Sequence, residues 1–191
     1  MGHVEILETL LAASDDEWNQ WAMVEEYPRL QAMNAIGMVN AIIEKSSPRD
    51  IGQLTIVDVG CGGNGRDACP PFFCIIAGMF GATAHGVDLF EYEGDGAGYY
   101  THHESSILGA IGDDGVLHLR TLTGLQTCDV VVSNGLTGRS PSPTLQGILE
   151  HFGNPLSIAD VSSAIRRGAK EILRPGGFLY ENGALIDAGD L

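Results

Sequence analysis

Apolar positions recur along this chain at two spacings, and the change from one to the other divides it. In HVEILETLLAA (3–13), Val4, Leu7 and Leu11 share one helical face, with Ile6 and Leu10 beside them. Ser14-Asp15-Asp16-Glu17 is a capping box, so a second helix is expected from there, with Trp18, Trp21 and Ala22 on its buried side. Pro28 breaks that pattern, and a third helix is predicted from Arg29 to Lys45, ending before Ser46-Ser47-Pro48. Residues 1–50 therefore read as an N-terminal helical cap.

From Leu54 the spacing becomes that of buried strands alternating with helices. LTIVDVG is a short β-branched run stopped by glycine. A helix is predicted next, with Pro70 and Pro71 in its first turn and Gly81 closing it after Phe80. Ala84 to Phe90 reads as a second strand, and EYEGDGAGYY after it as a loop. The pattern then predicts a short helix over Thr101–Ala110 and a third strand over Val116–Thr121. A fourth strand is expected over Cys128–Asn134, helices over Leu145–Phe152 and Asp160–Leu173, and a fifth strand over Gly177–Asn182. Strands alternating with helices imply an α/β fold, a three-layer sandwich around a mainly parallel sheet. Residues 51–191 form that layered unit, and with the helical cap it makes one structural domain.

Length supports this, because 191 residues can bury a core without staples. Cys61, Cys69, Cys74 and Cys128 lack CxxC spacing and are expected to be reduced core thiols. No metal site is expected. The net charge is −15: residues 1–50 carry −6, residues 51–115 carry −8, and no Lys or Arg occurs from Asp67 to Leu119. Such a surface repels nucleic acid and anionic membrane and favours a neutral or cationic small molecule. The start shows no basic stretch with an apolar signal core, so a cytoplasmic location is expected. Phe72–Ala82, the most apolar run, is too short to span a bilayer.

Candidate chemistry centres on Asp58-Val59-Gly60-Cys61-Gly62-Gly63-Asn64-Gly65, between the first strand and the next helix. Gly60, Gly62 and Gly65 satisfy GxGxxG, where bare main chain lets a ligand approach and the helix amino end offers free donors. Asp88 ends the second strand 23 residues after Gly65, placed to accept from both hydroxyls of a ribose. Two adenosine cofactors suit this arrangement: a nicotinamide dinucleotide and S-adenosylmethionine.

Taken together, VDVGCGGNG, Asp88 within HGVDLF, CDVVVSN and LRPGGFLYE resemble the successive motifs of class I S-adenosylmethionine-dependent methyltransferases, over residues 51–183. The charge agrees, since an acid two residues before the first glycine repels a pyrophosphate and attracts an ammonium. The resemblance implies a Rossmann-like sheet of order 3-2-1-4-5 and methyl transfer to a small-molecule acceptor. It implies that Asp58, Gly60, Cys61, Gly62 and Gly65 lie along the methionine and ribose, that Asp88 holds the ribose and that Leu89 covers the adenine. Ser133 and Asn134 would face the methionine ammonium or the methyl group.

Two departures stand out: the family's third glycine place is held by Asn64, and the family's final antiparallel hairpin is expected to be missing. The fifth strand then becomes an edge, covered by helices or by a second subunit in a homodimer. His102, His103 and Asn134 are the candidate bases for a protonated acceptor. The rival functions are an NAD(P)-dependent oxidoreductase using the same turn, and a non-catalytic binding or assembly protein acting through the sheet edge.

Overall fold

The computed structural model describes residues 8, 12, 27–63, 70–90, 92–94, 96–137, 149 and 156–191. Of the helices expected over 3–13, 14–27 and 145–152, only Glu8, Ala12, Tyr27 and Leu149 are described, each as helix, and Trp18, Trp21, Gly65 and Cys69 lie outside the described residues.

Helix α1 (Tyr27–Ser46) buries Ala32, Ala35, Ile36, Val39 and Ile42, the single stripe that helical spacing predicts. Strand β1 (Thr55–Val59) follows it. Helix α2 (Phe72–Met79) is apolar all round, and Phe72 to Ala77 are all buried between α1 and the sheet. Pro70 and Pro71 precede its first turn instead of lying within it. At its other end Gly81 takes φ +87°, the Gly81 amide donates to Gly78 O (2.9 Å) and the Ala82 amide to Ala77 O (3.0 Å). That paired closure requires a left-handed residue, which glycine adopts without a Cβ penalty.

Strands β2 (Thr83–Asp88), β3 (Thr101–Glu104), β4 (Cys128–Ser133), β5 (Leu173–Glu181) and β6 (Ala184–Asp187) complete one sheet of order β3-β2-β1-β4-β5-β6. All neighbours are parallel except β5 and β6. Ile56, Ala84, Val130, Val132 and Phe178 face α1 and α2. Val57, Val59, Val87, Val131 and Leu179 face the short helix α3 (Leu119–Thr123) and α4 (Ile158–Ile172). Helix α4 starts at a reciprocal cap between Ser157 and Asp160 and buries Val161, Ala164, Ile165, Ala169 and Ile172. This is the expected Rossmann-like three-layer α/β sandwich, with an antiparallel strand added at one edge.

Three expectations need correction. The third strand is Thr101–Glu104, not a helix: it is short and polar because it is an edge, where apolar alternation is not required. Val116–Thr121 is not that strand. The Leu117 amide donates to Ala164 O of α4 (3.1 Å), which leads the chain onto that helix, and Leu119–Thr123 coils until Gly124 (φ +73°) ends it. The hairpin is also not wholly missing. Asn182 (φ +49°) and Gly183 (φ +87°) turn β5 directly into β6, so β6 and not β5 is the edge.

The cations of 166–174 have individual partners. Arg166 binds Glu181 (2.6 Å), Arg167 binds Asp114 O (3.0 Å), Lys170 binds Leu191 O and Arg174 binds Asp129. Cys61, Cys74 and Cys128 are free and buried, as expected. No helix among the described residues is long and apolar enough to cross a membrane.

On the α3 side of the sheet edge, His85 Nδ1 and His103 Nε2 lie 2.9 Å apart in stacked rings. Burial, then His103, lowers the pKa of His85 below the usual 6.5, and burial, then His102, lowers that of His103. The unfolded chain therefore binds protons first as pH falls, so stability held above 6.5 is lost on acidification through the lowered values. Between pH 7.5 and 5 the denaturant midpoint of His103→Gln should therefore gain on that of the wild type as pH falls. Parallel midpoints would remove His103 as a source of pH dependence.

Candidate functional site

Strands β1 and β4 are neighbours while the chain crosses to opposite faces from them, so their carboxyl ends open the crevice in which ligands of such sheets sit. Gly60 and Gly62 take φ +78° and +97°, carrying the turn back over the end of β2. The Gly60 amide donates to Val87 O at 2.8 Å. Gly63 packs tightly against the chain beyond β2: a Cβ there would stand 2.1 Å from Phe90 O.

Asp88, the last residue of β2, accepts from the Gly62 amide through Oδ2 (2.9 Å) and from the Leu89 amide through Oδ1 (2.7 Å). A carboxylate has about four acceptor positions, so two remain for ligand hydroxyls. Leu89 and Phe90 follow with exposed side chains, a bare apolar surface beside that acid.

Asp58 behaves differently from the sequence expectation of a charged lure. It lies on the α2 face of β1, 5% exposed, and the Cys74 thiol donates to its Oδ2 at 3.7 Å. Burial raises its pKa from 3.8 to about 7; the Cys74 hydrogen bond opposes this and the charge of Asp88 adds to it. Near neutrality it is about half protonated. Cys61 turns inward beside it, with its Sγ 4.0 Å from His102 Nδ1. The hydrogen bond with Cys74 lowers the Cys61 pKa, but burial and the two carboxyl groups outweigh it and leave the thiol raised, hence unreactive.

The candidate bases are not brought together. His102 points to the α2 face, where Nδ1 meets the Tyr100 hydroxyl at 3.2 Å, and its Nε2 is buried with no partner among the described residues. His103 points to the opposite face and pairs with His85. Adjacent residues on a strand alternate faces, so they cannot serve one ligand. Asn134 is exposed at the exit of β4, beside the buried Ser133. Among the described residues, no three His, Cys, Asp or Glu side chains are arranged to hold a metal ion. A shallow groove of about 210 Å³ lined by Thr83, Tyr99 and Thr101 lies at the amino ends of β2 and β3, away from the crevice.

A carboxylate with spare acceptor positions and apolar Leu89 next to it fit an adenosyl ligand, while the faces left open by the missing Cβ atoms of Gly60 and Gly63 are taken by Leu136 and Phe90. Sequence reasoning missed Asn182, whose Asn-Gly pair is itself a strong hairpin signal.

No protein-family model matches the chain, and no curated protein matches it. Among solved structures, it is similar over 86% of its length, and 67% of the other chain, to the TehB-like SAM-dependent methyltransferase from Corynebacterium glutamicum ATCC 13032 Kitasato, at 15% identity and a TM-score of 0.41.

Proposed function

We propose that the chain binds S-adenosylmethionine and transfers its methyl group to a small neutral or cationic acceptor. The observation that carries this reading is Asp88, fastened to Gly62 across the tip of β2 with acceptor positions to spare, beside a left-handed glycine turn at the switch point. The resemblance of the motifs over 51–183 to class I methyltransferases supports it.

When bound, the cofactor supplies an activated methyl group on a sulfonium. The chain's own part is positioning: Asp88 accepts from the ribose hydroxyls, Leu89 and Phe90 cover the adenine, and the main chain at Ser133 and Asn134 meets the methionine end. Such displacement requires alignment and exclusion of water more than it requires a proton carrier. Neither His102 nor His103 stands free in the crevice. An acceptor that arrives deprotonated, or loses its proton to water, therefore suits this site best.

Calorimetric titration with S-adenosylmethionine and, separately, with NAD⁺ tests the reading. The first should bind and the second should not. Asp88→Ala should weaken the first by about ten- to a hundredfold, because it removes hydrogen bonds to a charged group worth roughly 1.5–3 kcal/mol. Binding of NAD⁺ alone would establish the oxidoreductase alternative. Cofactor binding without turnover on any acceptor, together with a dimer paired through β3 or β6, would favour the assembly role.

A further inference from the structure

Resting on that reading, the geometry points to Asn182 as a positioning residue that sets the β4 wall of the cofactor crevice. Asn182 is the first residue of the two-residue turn from β5 into β6, with φ +49° followed by +87° at Gly183. Such a turn requires positive φ at both places, which Asn, Asp and Gly all adopt, so the turn alone has no use for the carboxamide.

The carboxamide instead reaches across to the exit of β4, 47 residues earlier in the chain. Its Oδ1 accepts from the Gly135 amide at 2.9 Å, while the Asn182 main-chain amide donates to Ser133 O at 3.1 Å. The two bonds bracket Asn134, the exposed residue of this exit. Gly135 has no side chain and takes φ +75°, and Ser133 Oγ is buried with no partner among the described residues, so neither residue fastens the exit by a side chain of its own.

The next residue, Leu136, brings its Cδ atoms to 3.3 Å from where a Cβ on Gly60 would stand. A contiguous path therefore runs from the Asn182 carboxamide through Gly135 and Leu136 to the glycine turn. The hairpin turn acts as a strut for a binding wall that is distant in sequence, and its loss would loosen that wall without unfolding the sheet.

Two variants separate this role from a structural one. Asn182→Gly keeps the turn and the main-chain donor but removes Oδ1, whereas Asn182→Asp keeps an oxygen acceptor. In Asn182→Gly, hydrogen exchange at the Gly135 amide should quicken about fivefold or more, and affinity for S-adenosylmethionine should drop about fivefold, the worth of one net hydrogen bond. Asn182→Asp should retain slow exchange and affinity within about twofold of wild type. Unchanged affinity in Asn182→Gly, or an equal loss in Asn182→Asp, would overturn the assignment. Failure of the underlying reading shows itself separately, as a wild-type chain that binds no S-adenosylmethionine, and it overturns this inference too.

Discussion

Asp129→Ala is expected to lower folding stability by about 3 kcal/mol, the largest effect of any single side chain outside the apolar core. The carboxylate is 2% exposed at the start of β4. It accepts from Arg49 Nη1 (2.5 Å), from the Arg174 guanidinium and from the Thr55 amide (2.9 Å). Those three donors come from the segment after α1, from the second residue of β5 and from the first residue of β1. One side chain thereby fastens three separate pieces of chain to the centre of the sheet.

Removing a buried carboxylate from its partners strands their charge and leaves a buried amide unpaired, which costs roughly 3–5 kcal/mol in fully buried cases. Both arginine side chains here are 33–41% exposed and can regain water, so the lower end applies. In a chain of this size the midpoint of thermal unfolding should fall by about 6–12 °C. Arg49→Gln or Arg174→Gln should each do less, because the other guanidinium remains. A shift under about 2 °C in Asp129→Ala would show that the cluster contributes little net stability.

Replacing Asp58 with Asn should produce a pH-dependent gain. Because burial raises the native pKa from 3.8 to about 7, the native state holds a proton that the unfolded chain has released across that interval. The stability that this group contributes therefore declines as pH rises from about 4 to about 7, by at most roughly 4 kcal/mol at 1.4 kcal/mol per pH unit. Asparagine stays neutral and pays nothing for ionisation. Chemical denaturation at pH 5 and pH 8 should show the variant gaining on the wild type at the higher pH, by an amount of a few kcal/mol. An equal difference at both values would mean that Asp58 is ionised throughout, hence better solvated than its position implies.

Several parts of this architecture were legible before any coordinates. β1, β2, β4 and β5 are apolar runs bounded by turn residues, and they appear within one to four residues of their predicted bounds because each is buried on both faces. α4 was legible from its stripe alone, although its start belongs to the Ser157 cap. Thr101–Glu104 was not legible. An edge strand of polar residues has no apolar signature, and only pairing with β2 makes it a strand. Leu117 and Leu119 look like alternation until the Leu117 amide is found on Ala164 O. The Asn-Gly hairpin was readable by its own turn chemistry, but the expectation of a missing hairpin displaced it.

At the crevice the left-handed glycine turn and Asp88 at the end of β2 stand where the spacing puts them, because tight turns and strand-end acids are local features. The protonation of Asp58 was not legible, since it depends on burial beneath an apolar helix. Nor was it legible that His102 and His103 lie on a strand, whose pleat sends them to opposite faces.

What the amino-acid order determined by itself was local: where apolar periods change, where glycine permits a left-handed turn and where an acid ends a strand. Protonation of Asp58, the separation of the two histidines and the reach of Asn182 to Gly135 were decided by the tertiary structure, because burial and long-range hydrogen bonds exist only once distant segments have packed.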